Sequence, residues 1–265
     1  MWRLLLYQPL VNALILLYLV FGHNFGLAII VLTILIRLVL MPITQKSLES
    51  AEKIKKLQPE LSKLKKKYSD DKQAFAQAQM ELYKTHKINP AAGCLPQIVQ
   101  MVVLIALFQA FNQVLRTNGD VVENLQAILY GPLKDRLTQP FNLRFLYLDL
   151  GQPDIFKLAK VIDLGIVKIS KLPGLFLVAA AITQFLSSKL MLPTQKKLAL
   201  EAKVTPGQED DMAVAMQTQM VYLFPLMTLF VGFNFPSGLV LYWLTFSLLM
   251  LITQLRLKKN QANKK

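Results

Sequence analysis

The chain alternates between long apolar blocks and shorter basic ones. Runs of about 20 apolar residues, the length that crosses a bilayer as a helix, predict spans at 26–44, 93–115, 173–192, 217–233 and 236–256, the last two short and interrupted by Pro225 and Pro236. After the first span the period changes. Ile54, Leu57, Leu61, Leu64 and Tyr68 recur at three- and four-residue spacing among lysines, the seam of a soluble coiled coil. Ser69, Asp70 and Asp71 break that helix, and a weaker stripe of Phe75, Ala78, Leu82 and His86 runs to a stop at Asn89-Pro90. The pattern predicts an antiparallel helical hairpin within 45–92, with Pro59 kinking or restarting its first arm. Leu4 to Phe21 is also apolar but carries Gln8, Pro9 and Asn12. An interfacial helix from about Pro9 to Phe21, within an amino-terminal segment 1–25, is expected there, with a sixth span as the alternative and Gly22 to Gly26 as the turn.

The 265 residues are 54% hydrophobic with a formal charge of +14, which describes a polytopic membrane protein. Charge then orients it. Eleven lysines lie between Lys46 and Lys87 against six carboxylates, and the tail carries Arg256, Lys258, Lys259, Lys264 and Lys265 with no acid, so both belong in the cytoplasm. The segment 116–172 has eight basic residues against six acids and belongs outside. Five spans with the 257–265 tail inside put the amino terminus outside and the 193–216 loop in the cytoplasm. Val121, Leu125, Ile128 and Leu133 suggest an additional interfacial helix in the exterior segment. No small-residue cleavage site follows the first apolar run, so a cleaved signal peptide is not expected.

Composition excludes several chemistries. Cys94 is the single cysteine, so no internal disulfide can form, and it reads as a small packing residue. The two histidines, His23 and His86, fall on opposite sides of the membrane in this topology, and the chain has no GxxxxGK[ST] phosphate loop. No cofactor or metal is expected.

The residue that stands out is Arg37, inside GLAIIVLTILIRLVLMPIT. A charge at the centre of a spanning helix costs roughly 2.5–3.5 kcal/mol on insertion scales and usually faces protein or a water-filled cavity. The alternative is snorkelling toward the interface near Gln45 and Lys46, about 12 Å along the helix. Polar side chains recur in the other spans: Gln97, Gln100, Gln109, Asn112 and Gln113 in the second, Gln184, Ser187 and Ser188 in the third, and Trp243 followed by Ser247 in the fifth. With Thr33 one turn from Arg37, they could line a hydrated recess. They could equally join helices by hydrogen bonds, each worth about 0.6 kcal/mol in membranes. No aspartate or glutamate occurs in the five spans, so Arg37 needs amides, hydroxyls, water or an incoming acidic ligand. The hairpin lysines read as a solvated face, a contact for anionic lipid, or a surface for RNA or an acidic protein.

Four segments in this order carry a specific resemblance: the arginine-bearing run above, KLQPELSKLKKKYSDDKQ in the hairpin, NPAAGCLPQIVQ from Asn89, and FPSGLVLYW from Phe235. From about Pro9 to Leu257 the chain resembles the YidC/Oxa family of membrane protein insertases. The resemblance implies an all-α membrane protein with five transmembrane helices around a hydrophilic groove closed to the exterior and open to cytoplasm and lipid, in the bacterial plasma membrane, catalysing no covalent reaction. It places the family arginine at Arg37, the groove aromatic at Trp243 and a polar groove position at Thr33. The third-span polar position falls on Ser187 or Ser188, with Gln184 one turn away. With Gln100, Asn112 and Ser247 these form the expected substrate groove, and Lys63, Lys65, Lys66 and Lys67 the expected partner-binding stretch of the hairpin. Expected partners are nascent membrane proteins and the lipid bilayer, with the Sec translocon, the ribosome and the signal recognition particle pathway as further candidates. The chain departs from the family in its long 116–172 segment, in showing no counterpart of the large exterior domain of many bacterial forms, and in its short basic tail. A small-solute transporter or channel would use the same charged cavity, but no inverted repeat relates the two halves. A membrane-anchored scaffold would not retain Arg37.

Overall fold

The structure is a computed structural model that describes residues 2–69, 71–89, 95–115, 125–137, 142–163, 168–191 and 221–262. The 193–216 loop, residues 217–220 of the fourth predicted span, Cys94, Val121 and the last three residues lie outside the described residues. The described chain is mostly helical and forms two compact units, one of Met1–Arg37 with Ile105–Lys265 and one of Leu38–Leu104.

The first helix, α1 (Gln8–Val20), is preceded by a π-helical turn over Arg3–Tyr7, with Pro9 in its first turn where a missing N–H costs nothing. It ends at Phe21, and the chain reverses through left-handed Gly22 and His23 at φ of 64° and 63°. Asn24 then caps α2 (Phe25–Lys56) by accepting from the Leu27 N–H at 3.0 Å. Gly26 is dictated by packing, because a Cβ there would overlap the Phe145 ring. Gln8 and Asn12, the interruptions that argue for an interfacial α1, are satisfied by one loop: both amides donate to the Ile128 carbonyl, and Asn12 accepts from the Tyr130 N–H at 2.7 Å. The Tyr18 hydroxyl accepts from the Asn142 N–H at 3.1 Å, so α1 is tied to the 128–142 segment at both of its ends.

Among the described residues, three helices are long and apolar enough to cross a membrane, Arg3–Val20, Phe25–Ser47 and Ser237–Arg256, and three shorter apolar helices accompany them, Ile98–Ala110, Leu175–Leu190 and Val221–Gly232. The shorter ones lie in α5 (Leu95–Leu115), α7 (Leu175–Met191) and α8 (Val221–Gly232), and the last long one in α9 (Ser237–Ala262). Beside an apolar core, large apolar side chains also cover the outer faces of these helices while several polar ones are buried. Leu35, Ile105, Ile182, Leu226, Phe230 and Leu248 are exposed, whereas Thr33, Arg37, Ser187, Thr228 and Ser247 are buried. Apolar side chains outward and polar ones inward is the arrangement that lipid selects. In the core, α7 packs along α9 through Leu177, Ala180 and Val240. Gly232 lets α8 approach, since a Cβ there would overlap Leu177.

In the second unit, α2 runs through Pro42 to Lys56, breaks at Leu57 and restarts as α3 (Gln58–Lys67) with Pro59 in its first turn, the restart expected of that proline. Asp71 caps α4 (Lys72–Thr85) by accepting from the Ala74 N–H at 2.9 Å. Leu57, Leu61 and Ile88 are buried, and His86 Nε2 lies 3.6 Å from Glu60 Oε2, which brings the ends of the two arms together.

One expectation fails. The chain is not all-α: β1 (Arg144–Phe145) pairs with β2 (Leu148–Asp149), and β3 (Ile155–Asp163) pairs antiparallel with β4 (Lys168–Pro173). The β-branched and aromatic residues of IFKLAKVID favour an extended ribbon once two-stranded pairing is available. Of the additional helix expected through Val121, Leu125, Ile128 and Leu133, Leu125 and Gln126 are helical, Ile128 is buried in the turn that follows, and Leu133 lies in the four-residue α6 (Gly131–Lys134).

Candidate functional site

Arg37 lies on α2 one turn beyond Thr33, and both are buried. Thr33 donates to its own helix at the Ile29 carbonyl, 2.6 Å, so its proton is used locally. The Arg37 guanidinium reaches α9: Nη2 donates to the Met250 thioether at 2.9 Å, and Cζ lies 5.2 Å from the Phe246 ring centroid. A thioether is a weak acceptor and a ring face a neutral one, so both contacts are weak beside a charge-assisted hydrogen bond. Phe246 and Met250 lie four residues apart and share a helix face, and the next position on it is Gln254. Gln254 is 7% exposed, and neither its amide oxygen nor its nitrogen has a hydrogen-bond partner. A buried amide left unmade costs about 1–3 kcal/mol, which a ligand arriving at that face would recover.

The neighbouring helices supply hydroxyls that are already engaged. Thr183 and Ser247 share a hydrogen bond of 2.6 Å between α7 and α9, Ser187 donates to the Ser247 carbonyl at 3.3 Å, and Thr228 of α8 donates to Gln184 at 2.6 Å. These polar groups act as helix glue at this seam. Trp243 packs against the Leu177, Ala180 and Val240 cluster, its ring 5.9 Å from that of Phe235.

The end of the bundle where α7 and α9 begin is closed by the chain preceding α7. Asp154, 3% exposed, accepts from the Leu177 N–H at 2.8 Å and from the Tyr147 hydroxyl at 2.9 Å, capping α7. Gly174 is required beside it, since a Cβ there would overlap the carboxylate. Residues 149–152 cap α9: Ser237 N–H donates to Gln152 O at 2.7 Å, Gly238 N–H to Leu150 O at 3.1 Å, and the Ser237 hydroxyl to Asp149 O at 2.7 Å. Asp154→Ala removes the cap and leaves a buried N–H unpaired, so it is expected to lower stability by about 2–4 kcal/mol, read as a fall in thermal midpoint in detergent, with Asp154→Asn losing less. Burial, opposed by the Phe176 N–H and reinforced by Asp154, holds the Tyr147 phenol above its ordinary value. Its folded value is raised, so its contribution is complete below the unfolded value and fades only as pH rises through the alkaline range.

Comparison with known proteins decides the family. The profile of the 60Kd inner membrane protein family matches residues 16–265. A membrane protein insertase YidC of Fusobacterium nucleatum is 36% identical over 239 residues, covering 90% of this chain and 88% of the relative. The chain belongs to this family. A second YidC insertase, from Geobacter metallireducens, is 32% identical over 98% of this chain but only 38% of its own length. A crystal structure of an active YidC insertase with its first transmembrane domain resolved covers 93% of the chain and 45% of its own, with a TM-score of 0.55 and 21% identity, a likeness of fold. The chain therefore spans most of one YidC relative and less than half of the other two proteins.

Within the chain the structure gathers Arg37, Ser187, Trp243 and Ser247 around α9, with Thr33 on the Arg37 helix and Gln184 turned to Thr228. Gln100 is half-buried on α5, in the Leu38–Leu104 unit, and the Asn112 side chain lies outside the described residues, as does that of Lys65. Lys63, Lys66 and Lys67 are exposed on α3. Gln109 accepts from the Trp2 indole at 2.9 Å. Sequence reasoning missed Phe246, Met250 and Gln254, although their four-residue spacing from one another was visible, and it missed Thr183, Thr228 and the cap at Asp154.

Proposed function

We propose that the chain inserts nascent membrane proteins into the bilayer through a hydrated groove beside Arg37, open to the cytoplasm and to lipid. The five apolar segments 26–44, 93–115, 173–192, 217–233 and 236–256 are its spans, with the amino terminus outside and the basic tail in the cytoplasm. It performs no covalent chemistry. A charged residue crossing hydrocarbon costs roughly 2.5–3.5 kcal/mol at the centre, and a polar groove lowers that cost for each residue of a translocated tail. The observation that carries this reading is the buried Arg37 guanidinium over Phe246 and Met250, one turn from the unpartnered Gln254. An acidic segment is a better acceptor than a thioether and displaces it. Trp243 completes the proposed groove, and the exposed Lys63, Lys66 and Lys67, with Lys65, form the surface for partners such as the ribosome, the signal recognition particle pathway or the Sec translocon.

A photo-crosslinking residue at Phe246 should capture a single-span substrate during its insertion, while one at Leu248, which faces outward on the same helix, should capture mainly lipid. Equal capture from both positions would place the substrate outside the proposed groove.

A further inference from the structure

The β3–β4 ribbon ends where α7 begins, and its base presents two unlike faces. Cross-strand partners are Phe156 with Leu172 on one face and, one residue on, Lys157 with Lys171 on the other. Phe156 and Leu172 are 46% and 42% exposed. Tyr147 stacks on Phe156, centroids 6.1 Å apart and planes 20° apart, and extends the apolar surface. Beside it Leu146, at the tip of the β1–β2 turn, is 79% exposed and held at φ of 53°, a conformation that a turn ordinarily reserves for glycine or asparagine. A leucine kept there in a strained backbone and turned out to solvent has no folding advantage in water.

Lys157 and Lys171 add an electrostatic argument. Like charges directly opposite on a ribbon are destabilising, and both are exposed with no acid as cross-strand partner. A surrounding layer of anions would relieve the repulsion. Chain continuity supplies such a layer: Leu172 is three residues from Leu175, the exposed first residue of α7, so the patch lies within about 10 Å of the point where that helix enters hydrocarbon. The headgroup region on each side of a bilayer is roughly 5–8 Å deep. Aromatic and leucine side chains at that depth with lysines at the level of the phosphates is the composition of an interfacial anchor.

We propose that the base of the β3–β4 ribbon, with Leu146 and Tyr147, is a lipid-docking surface that seats Phe156 and Leu172 at the acyl boundary and Lys157 and Lys171 among anionic headgroups. The proposal rests on α7 crossing the membrane and is independent of insertase activity. Docked in this way, the ribbon holds the strand leading into Asp154 and Gly174, and with it the cap that joins α7 to α9.

The test uses the full chain with Cys94→Ala, spin-labelled at Leu172→Cys or Ala159→Cys and reconstituted into vesicles of phosphatidylcholine alone or mixed with phosphatidylglycerol. Power saturation then compares collision with oxygen and with a water-soluble nickel complex. In anionic vesicles the label at 172 should favour oxygen by several-fold over the label at 159, and Lys157→Glu with Lys171→Glu should abolish that difference. In phosphatidylcholine alone the shielding should be weaker. A label at 172 as open to nickel as the one at 159, or shielding indifferent to lipid charge and to both substitutions, overturns the proposal. So does shielding that disappears when protein is diluted tenfold in lipid, which would mark a second copy of the chain as the occupant. Thermal midpoints of the variants in detergent verify that each remains folded.

Discussion

Arg37→Ala is expected to reduce insertion of substrates with acidic translocated tails by about tenfold to a hundredfold, matching the roughly 1.5–3 kcal/mol of a hydrogen bond to a charged group. Substrates with neutral tails should insert almost as before. The difference follows from the site: the guanidinium's contacts with Met250 and Phe246 are weak beside a charge-assisted hydrogen bond, so a carboxylate that replaces them gains energy. Arg37→Lys separates charge from shape. A lysine preserves attraction but not the planar fork of five donors, so retained activity identifies a point charge and lost activity a hydrogen-bond hub. Equal insertion of acidic and neutral tails by Arg37→Ala, at equal protein level, would remove the guanidinium from the mechanism and favour snorkelling.

The second large effect is expected from the hairpin. Glu60 and His86 approach to 3.6 Å, so the segment from Leu61 to Thr85 can be excised and its ends joined by a short Gly/Ser bridge. Leu38–Leu104 forms one compact unit, and α7, α8 and α9 belong to the other. The excised chain should therefore keep its thermal midpoint in detergent within a few degrees while insertion falls several-fold, because the exposed Lys63, Lys66 and Lys67 leave with the arm. Loss of the folded state in detergent would instead make the hairpin a structural part of the core.

How much of this was legible depended on the range of the interaction. The Pro59 restart, the break near Asp71 and the seam through Leu57 and Leu61 are local, set by residues within two turns, and the sequence pattern carries them. Arg37 was legible for the opposite reason, as a single violation of an apolar run whose cost demands an environment. Its contacts were not, because Phe246 and Met250 lie more than two hundred residues away and resemble ordinary apolar positions of α9. The ribbon was missed because Ile155, Leu158 and Ile162 recur at the three- and four-residue spacing of a helix, and an irregularity in register between Lys157 and Ile162 interrupts the period-2 pattern of a strand. Asp154 reads as a loop acid until Gly174 brings the start of α7 onto it. In the third span the hydroxyls and Gln184 pair across helices, so polarity alone overstated their share of any groove.

Protease protection in a purified system tests the central claim most directly. The chain, reconstituted alone in liposomes, would be offered a newly made single-span protein with a short acidic tail, and protection of that tail from added protease would be measured. Protected tail is expected in vesicles containing the chain, background protection in empty vesicles, and a loss with Arg37→Ala that grows with tail acidity. Protection no greater than in empty vesicles would contradict insertion by this chain.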